Sequence, residues 1–131
     1  EDDLNDFFAQ LPADVRHGLD YSPGSLDVLE KWLLERYPSP QALLQPSEEY
    51  RFDGAARYIG ETFRKHAGGH WTIDLDNPKN VFFQLPVLTR RSGPDSPYSL
   101  AGATTDRRTC SYLRTVLENT IELEQEQPIR Q

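Results

Sequence analysis

The run EEYRFDGAARYIGETFRKHAGG after Ser47 constrains this chain more than any other stretch. Phe52, Ala56, Ile59, Phe63 and Ala67 recur at spacings of four and three, the period of one helix face, and Gly68-Gly69 supplies the left-handed residue that closes a helix. A helix of about four to five turns is expected, buried along that stripe. Gly54 and Gly60 fall inside it, and each costs about 1 kcal/mol relative to Ala. Something must offset that cost: close approach of another backbone, or a kink at Gly60 that opens a pocket beside Glu61.

Prolines and glycines punctuate the rest. EDDLNDFF suits a short opening helix with acids at its start, stopped at Pro12. Ser22-Pro23-Gly24-Ser25 can start a second helix through LDVLEKWLLERY, with Leu26, Leu29, Leu33 and Tyr37 inward and Glu30, Lys31, Glu35 and Arg36 solvated. Pro38 and Pro40 end it, and one further turn is expected over 41–45.

Residues 70–75 alternate, with Trp71, Ile73 and Leu75 on one side and His70, Thr72 and Asp74 on the other. Residues 76–80 form a turn around Pro78, and 80–85 supply a return strand, giving an antiparallel hairpin over 70–85. TRRSGPDS at 89–96 is the most loop-like stretch and a candidate functional loop. A short strand is expected through Tyr98 and Leu100. A last helix capped by Thr104 or Thr105 then carries Cys110, Leu113, Leu117 and Ile121 inward, and residues 122–131 are expected to fray. The expected architecture over 1–131 is a single α+β domain, several helices on a small antiparallel sheet centred on the 70–85 hairpin.

Charge is uneven. The net charge is −7, but residues 1–50 carry eleven acids against three bases, residues 51–115 six against ten, and residues 116–131 four against one. An acidic balance disfavours nucleic acid and suits a basic protein partner. The pairs Arg64-Lys65, Arg90-Arg91 and Arg107-Arg108 can meet phosphate or neutralise the acidic ends of the same fold. No run of apolar residues reaches the length of a membrane span. The lone Cys110 excludes an internal disulfide, which favours a cytoplasmic setting. With no Met in the sequence, Glu1 is expected not to be the native start.

No G-x-S-x-G, Walker, Rossmann or H-E-x-x-H pattern is present. Tyr58 and Glu61, three apart, share a helix face. Glu61 suits a general base or ligand-binding carboxylate if Arg90, Arg91 or Arg107 converges on it, and an ion pair with Arg57, Arg64 or Lys65 if none does. His66 and His70 are separated by Gly68-Gly69, so their spacing does not make a metal pair; no metal or cofactor is expected. Cys110 is either a buried inert thiol or a thiolate activated by Arg107 and Arg108.

Four stretches carry a resemblance: S-P-x-S-L-D-x-L-E from Ser22, A-x-Y-I-G-E-T-x-R from Ala56, G-G-x-W-x-I-D from Gly68 and N-V-F-F-Q-L-P-V from Asn80. They resemble small actinobacterial-type domains. In size, charge and lack of a catalytic motif the chain is also similar to the small acidic immunity proteins of bacterial toxin systems, which bind and block a cognate toxin. With the acidic balance and the absence of a catalytic constellation, the expectation is a non-enzymatic protein-binding module with a basic partner, contacted through Glu61, Asp74, Asp76 and the hairpin edge with His70. The competing expectation is a small-ligand-binding protein or enzyme with a pocket formed by Tyr58, Glu61 and Arg90, Arg91 or Arg107.

Overall fold

In the computed structural model, residues 2–126 are described, with side chains from Leu4 onward. Helix α5, Glu49–Ala67, is the pivot. Before it come α1 (Asp2–Ala9), α2 (Ala13–His17), α3 (Ser25–Arg36) and α4 (Pro40–Leu43); after it come β1 (His70–Thr72), β2 (Val87–Arg90), β3 (Gly93–Asp95), α6 (Pro97–Arg107) and α7 (Tyr112–Glu126). The fold is α+β, helices packed on a three-stranded antiparallel sheet in the order β1-β2-β3.

The expected stripe on α5 is there, with Ala56, Ile59 and Phe63 buried, but the helix is enclosed on more than one side. Helices α1, α6 and α7 all contact it, and Gly54, Ala55, Tyr58, Gly60 and Thr62 are buried too. Small residues let neighbours come close. A Cβ at Gly54 would stand 2.4 Å from the Phe7 ring, and one at Gly60 would stand 2.3 Å from the Trp71 indole. Close approach, by aromatic rings, offsets the two glycines: each buried large apolar side chain contributes about 1.5–3 kcal/mol, more than the glycine costs.

Several local expectations move. The sheet begins at His70, but β1 ends at Thr72 and pairs with β2, so Trp71 faces Leu88 in register and the return strand is 87–90, not 80–85. The reason is Asp74, whose carboxylate takes backbone N–H groups of Asp76 and Asn77 and bends the chain away from a ladder. Residues 89–96 are not an open loop: Arg90 pairs with Gly93 across a tight turn, and Gly93, at φ 123°, supplies the conformation that turn needs. Pro94 is tolerated because β3 is an edge strand.

The stretch through Tyr98 and Leu100 is helical. Ser96 accepts the backbone N–H of Ser99 at 3.2 Å, with Pro97 in the first turn. Thr104 and Thr105 are therefore buried inside α6 rather than capping the next helix. Arg108, left-handed at φ 54°, ends α6, and its guanidinium donates to the carbonyls of Leu34 and Tyr37 at 2.8 Å each, closing the end of α3. Cys110 is exposed in the turn between α6 and α7, at φ 72°, not buried on the stripe. Helix α7 continues through Glu126, so residues 122–126 are helical; residues 127–131 of the expected frayed tail lie outside the described residues.

Candidate functional site

Two neighbouring features stand out: the loop over 73–86 and a cleft where α5 meets α6. Side chains hold the loop in shape. Asp74 Oδ1 accepts the N–H groups of Asp76 at 2.9 Å and Asn77 at 3.1 Å, and Oδ2 accepts from Asn80 Nδ2 at 2.8 Å. Asn80, then the two backbone amides, hold the Asp74 carboxyl below its ordinary range. Asn80 Oδ1 accepts from Phe82 N, and Gln84 N donates to the Asp74 carbonyl at 2.8 Å. The braced loop presents apolar side chains to solvent: Ile73 is 47% exposed, Leu75 62% and Val81 85%. The alternation over 70–75 put Ile73 and Leu75 on one strand face with Trp71.

Pro86, at the loop's end, lines a hollow of about 200 Å³ with Trp71, Arg57 and Tyr98. Tyr98 also lines the adjoining cleft, about 450 Å³, with Glu49, Tyr50, Phe52 and Asp53. The Phe52 and Tyr98 rings meet edge to face with centroids 5.6 Å apart. The Tyr98 hydroxyl donates to Asp53 Oδ1, and Arg57 Nε donates to Oδ2 at 2.8 Å. Burial and the Asp53 carboxylate both push the Tyr98 phenol up. Trp71 lies over Gly60 and donates from Nε1 to Glu61 Oε2 at 2.8 Å.

The residues singled out in the sequence fall in different places. Tyr58 is fully buried: its hydroxyl donates to Ser25 Oγ at 2.7 Å and accepts the N–H of Tyr21 at 2.8 Å. Glu61 is held by Arg64 at 2.9 Å and by Trp71; these bonds, Arg64 first, lower its carboxyl against the opposing effect of burial. The two therefore do not open into one cavity, because a fully buried Tyr58 has no face to offer a ligand. His70 is exposed at the start of β1, opposite Thr89. Asp74 and Asp76 share the loop, and Asp76 is exposed. Arg90 is 1% exposed at its side chain and bonds Asp95 at 2.7 Å, whereas Arg91 is exposed at the hairpin tip.

Sequence reasoning missed the cleft. The Asp53/Arg57 spacing was visible as a helical ion pair, but nothing in the chain announced that Tyr98, 45 positions later, would close over Asp53. A third concavity, about 310 Å³, is lined by Arg36, Tyr37 and Glu48 among others. There Arg36 Nε at 2.9 Å and the Tyr37 hydroxyl at 2.5 Å both donate to Glu48, drawing its carboxyl down to about 2, while burial and Glu48 push Tyr37 up to about 12. These groups satisfy one another and tie α3 to α5.

Among the described residues no group of three or more His, Cys, Asp or Glu side chains could hold a metal ion, and no helix is long and apolar enough to cross a membrane. Comparison with protein-family models, curated proteins and solved structures finds no match to this chain.

Proposed function

We propose that this chain is a non-enzymatic protein-binding module that covers the 73–86 loop and the adjoining cleft with a basic partner, in the manner of a bacterial immunity protein blocking its toxin. The observation that carries the reading is the exposure of Ile73, Leu75 and Val81 on a loop braced by Asp74. Asp76 and the net charge of −7 favour a basic partner by long-range attraction. Within this reading Asp74 shapes the contact surface and Asp76 faces the partner, while Glu61 supports Trp71. The exposed free thiol of Cys110 suits a reducing, cytoplasmic setting.

The test compares tagged wild type with a Leu75→Asp, Val81→Asp double variant in capture from lysate of the source organism. Wild type is expected to retain one stoichiometric basic protein, and the variant to lose it with an unchanged circular dichroism spectrum and melting temperature. Equal capture by both chains, or capture by neither, overturns the reading.

A further inference from the structure

We propose that the cleft between α5 and α6 is a subsite for a cationic side chain, a lysine or arginine carried by the basic partner. The inference rests on the protein-binding reading and adds the chemistry of one contact. Three aromatic residues, Tyr50, Phe52 and Tyr98, line the cleft. Aromatic walls suit the aliphatic stem of Lys or Arg, and ring faces attract its charged head.

The charges of the site choose the sign of the occupant. Asp53, in the lining, already has one oxygen on the Tyr98 hydroxyl and the other on Arg57. Its charge is largely answered from within. Glu49, in the first turn of α5, stands exposed at the rim and adds a second carboxylate. The cleft thus offers aromatic side chains and two carboxylates, one of them already paired, so a cation is favoured there over a carboxylate side chain. A volume of about 450 Å³ has room for one long side chain and the backbone that carries it.

The neighbouring hollow fixes a direction. Arg57 lines it together with Trp71 and Pro86, so a second cation is disfavoured there and an apolar side chain is favoured. The bound segment then runs from its basic residue at the Glu49 end to an apolar residue over Trp71 and Pro86, towards the exposed loop.

The probes are two capped tripeptides, acetyl-Gly-Arg-Leu-amide and acetyl-Gly-Glu-Leu-amide, titrated at millimolar concentration into the ¹⁵N-labelled full chain. The arginine peptide is expected to shift the amide resonances of residues 49–53 and 98, less so at high salt, and the glutamate peptide to leave them in place. Glu49→Gln, which alters an exposed residue, is expected to weaken the arginine peptide about fivefold, as loss of one partly screened charge contact does. Tyr98→Phe keeps the ring wall and is expected to retain binding within about twofold. Equal shifts from both peptides, no shift from either, or an unchanged affinity in Glu49→Gln overturns the proposal. Peptide binding at the cleft reads independently of protein capture through Leu75 and Val81, so either idea can fail alone.

Discussion

The carboxylate of Glu30, fully buried on α3, accepts the backbone N–H of Leu113 at 2.9 Å and that of Tyr112 at 3.1 Å, so a side chain from one helix caps the start of another. Two of the unpaired donors at the start of α7 are thereby satisfied, and a negative charge sits at the positive end of the helix dipole. Glu30→Ala removes the acceptor from both donors and leaves that of Leu113 buried. A loss of about 2–3 kcal/mol in urea unfolding is expected, with Glu30→Gln, which keeps one acceptor oxygen, losing about half as much.

Gly60 and Gly102 make opposite predictions. A Cβ at Gly60 meets the Trp71 indole at 2.3 Å and Pro97 at 3.1 Å, so Gly60→Ala displaces the ring despite its better helix propensity. A loss of about 1–3 kcal/mol and a changed Trp fluorescence maximum are expected. At Gly102, inside α6, a Cβ meets nothing within 4 Å. Gly102→Ala is expected to gain about 0.5–1 kcal/mol, measured in the same urea series.

Acid unfolding should report on Glu48. Its carboxyl titrates at about 2 in the folded chain against an ordinary 4.5, chiefly because of Arg36 and then Tyr37. A lowered folded value means that the unfolded chain binds the proton first, so the contribution is complete above 4.5 and is lost as the pH falls from there toward 2. Glu48→Gln is expected to lower stability at neutral pH by about 1–2 kcal/mol and to flatten the loss over that acid window. Melting temperatures at a series of pH values check both parts.

Arg90 and Asp95 are coupled unequally. The Arg90 guanidinium is buried with Nε and Nη1 lacking hydrogen-bond partners among the described residues, while Asp95 is 37% exposed. Removing the carboxylate strands a buried charge; removing the guanidinium releases a group that water can serve. Asp95→Ala is expected to cost about 2–3 kcal/mol and Arg90→Met less than about 1 kcal/mol. Chemical unfolding of the two variants side by side would show equal losses if the pairing were a simple net attraction.

The Asp74 brace should govern the loop without governing the fold. Asp74→Ala removes the acceptor for Asp76 N, Asn77 N and Asn80 Nδ2. Faster proteolytic nicking within 73–86 is expected, with an unchanged melting temperature for the rest of the chain.

The sequence made the long helices legible because their signals are local. Phe52, Ala56, Ile59 and Phe63 repeat at the helix period, Gly68 closes the last turn at φ 81°, and prolines mark the ends of α1 and α3. Sheet partners were not legible, since alternation at 80–85 and the short run 87–90 compete for β1 on nearly equal local terms. The Asp74 turn decided between them by drawing 73–86 out of the ladder. The Ser-Pro start of α6 was legible in principle, being the same signal as Ser39-Pro40 at the start of α4.

By itself, then, the sequence determined the α+β class, the central helix with its stripe and the acidic balance of charge, because period, punctuation and charge are written residue by residue. Tertiary structure alone decided that Glu30 is a buried cap rather than a solvated charge, that Tyr58 belongs to the core, and that Tyr98 closes over Asp53 to form the cleft. Each of these joins groups more than thirty positions apart in the chain, and a side chain's surroundings at that distance depend on how whole elements pack, which no local pattern encodes.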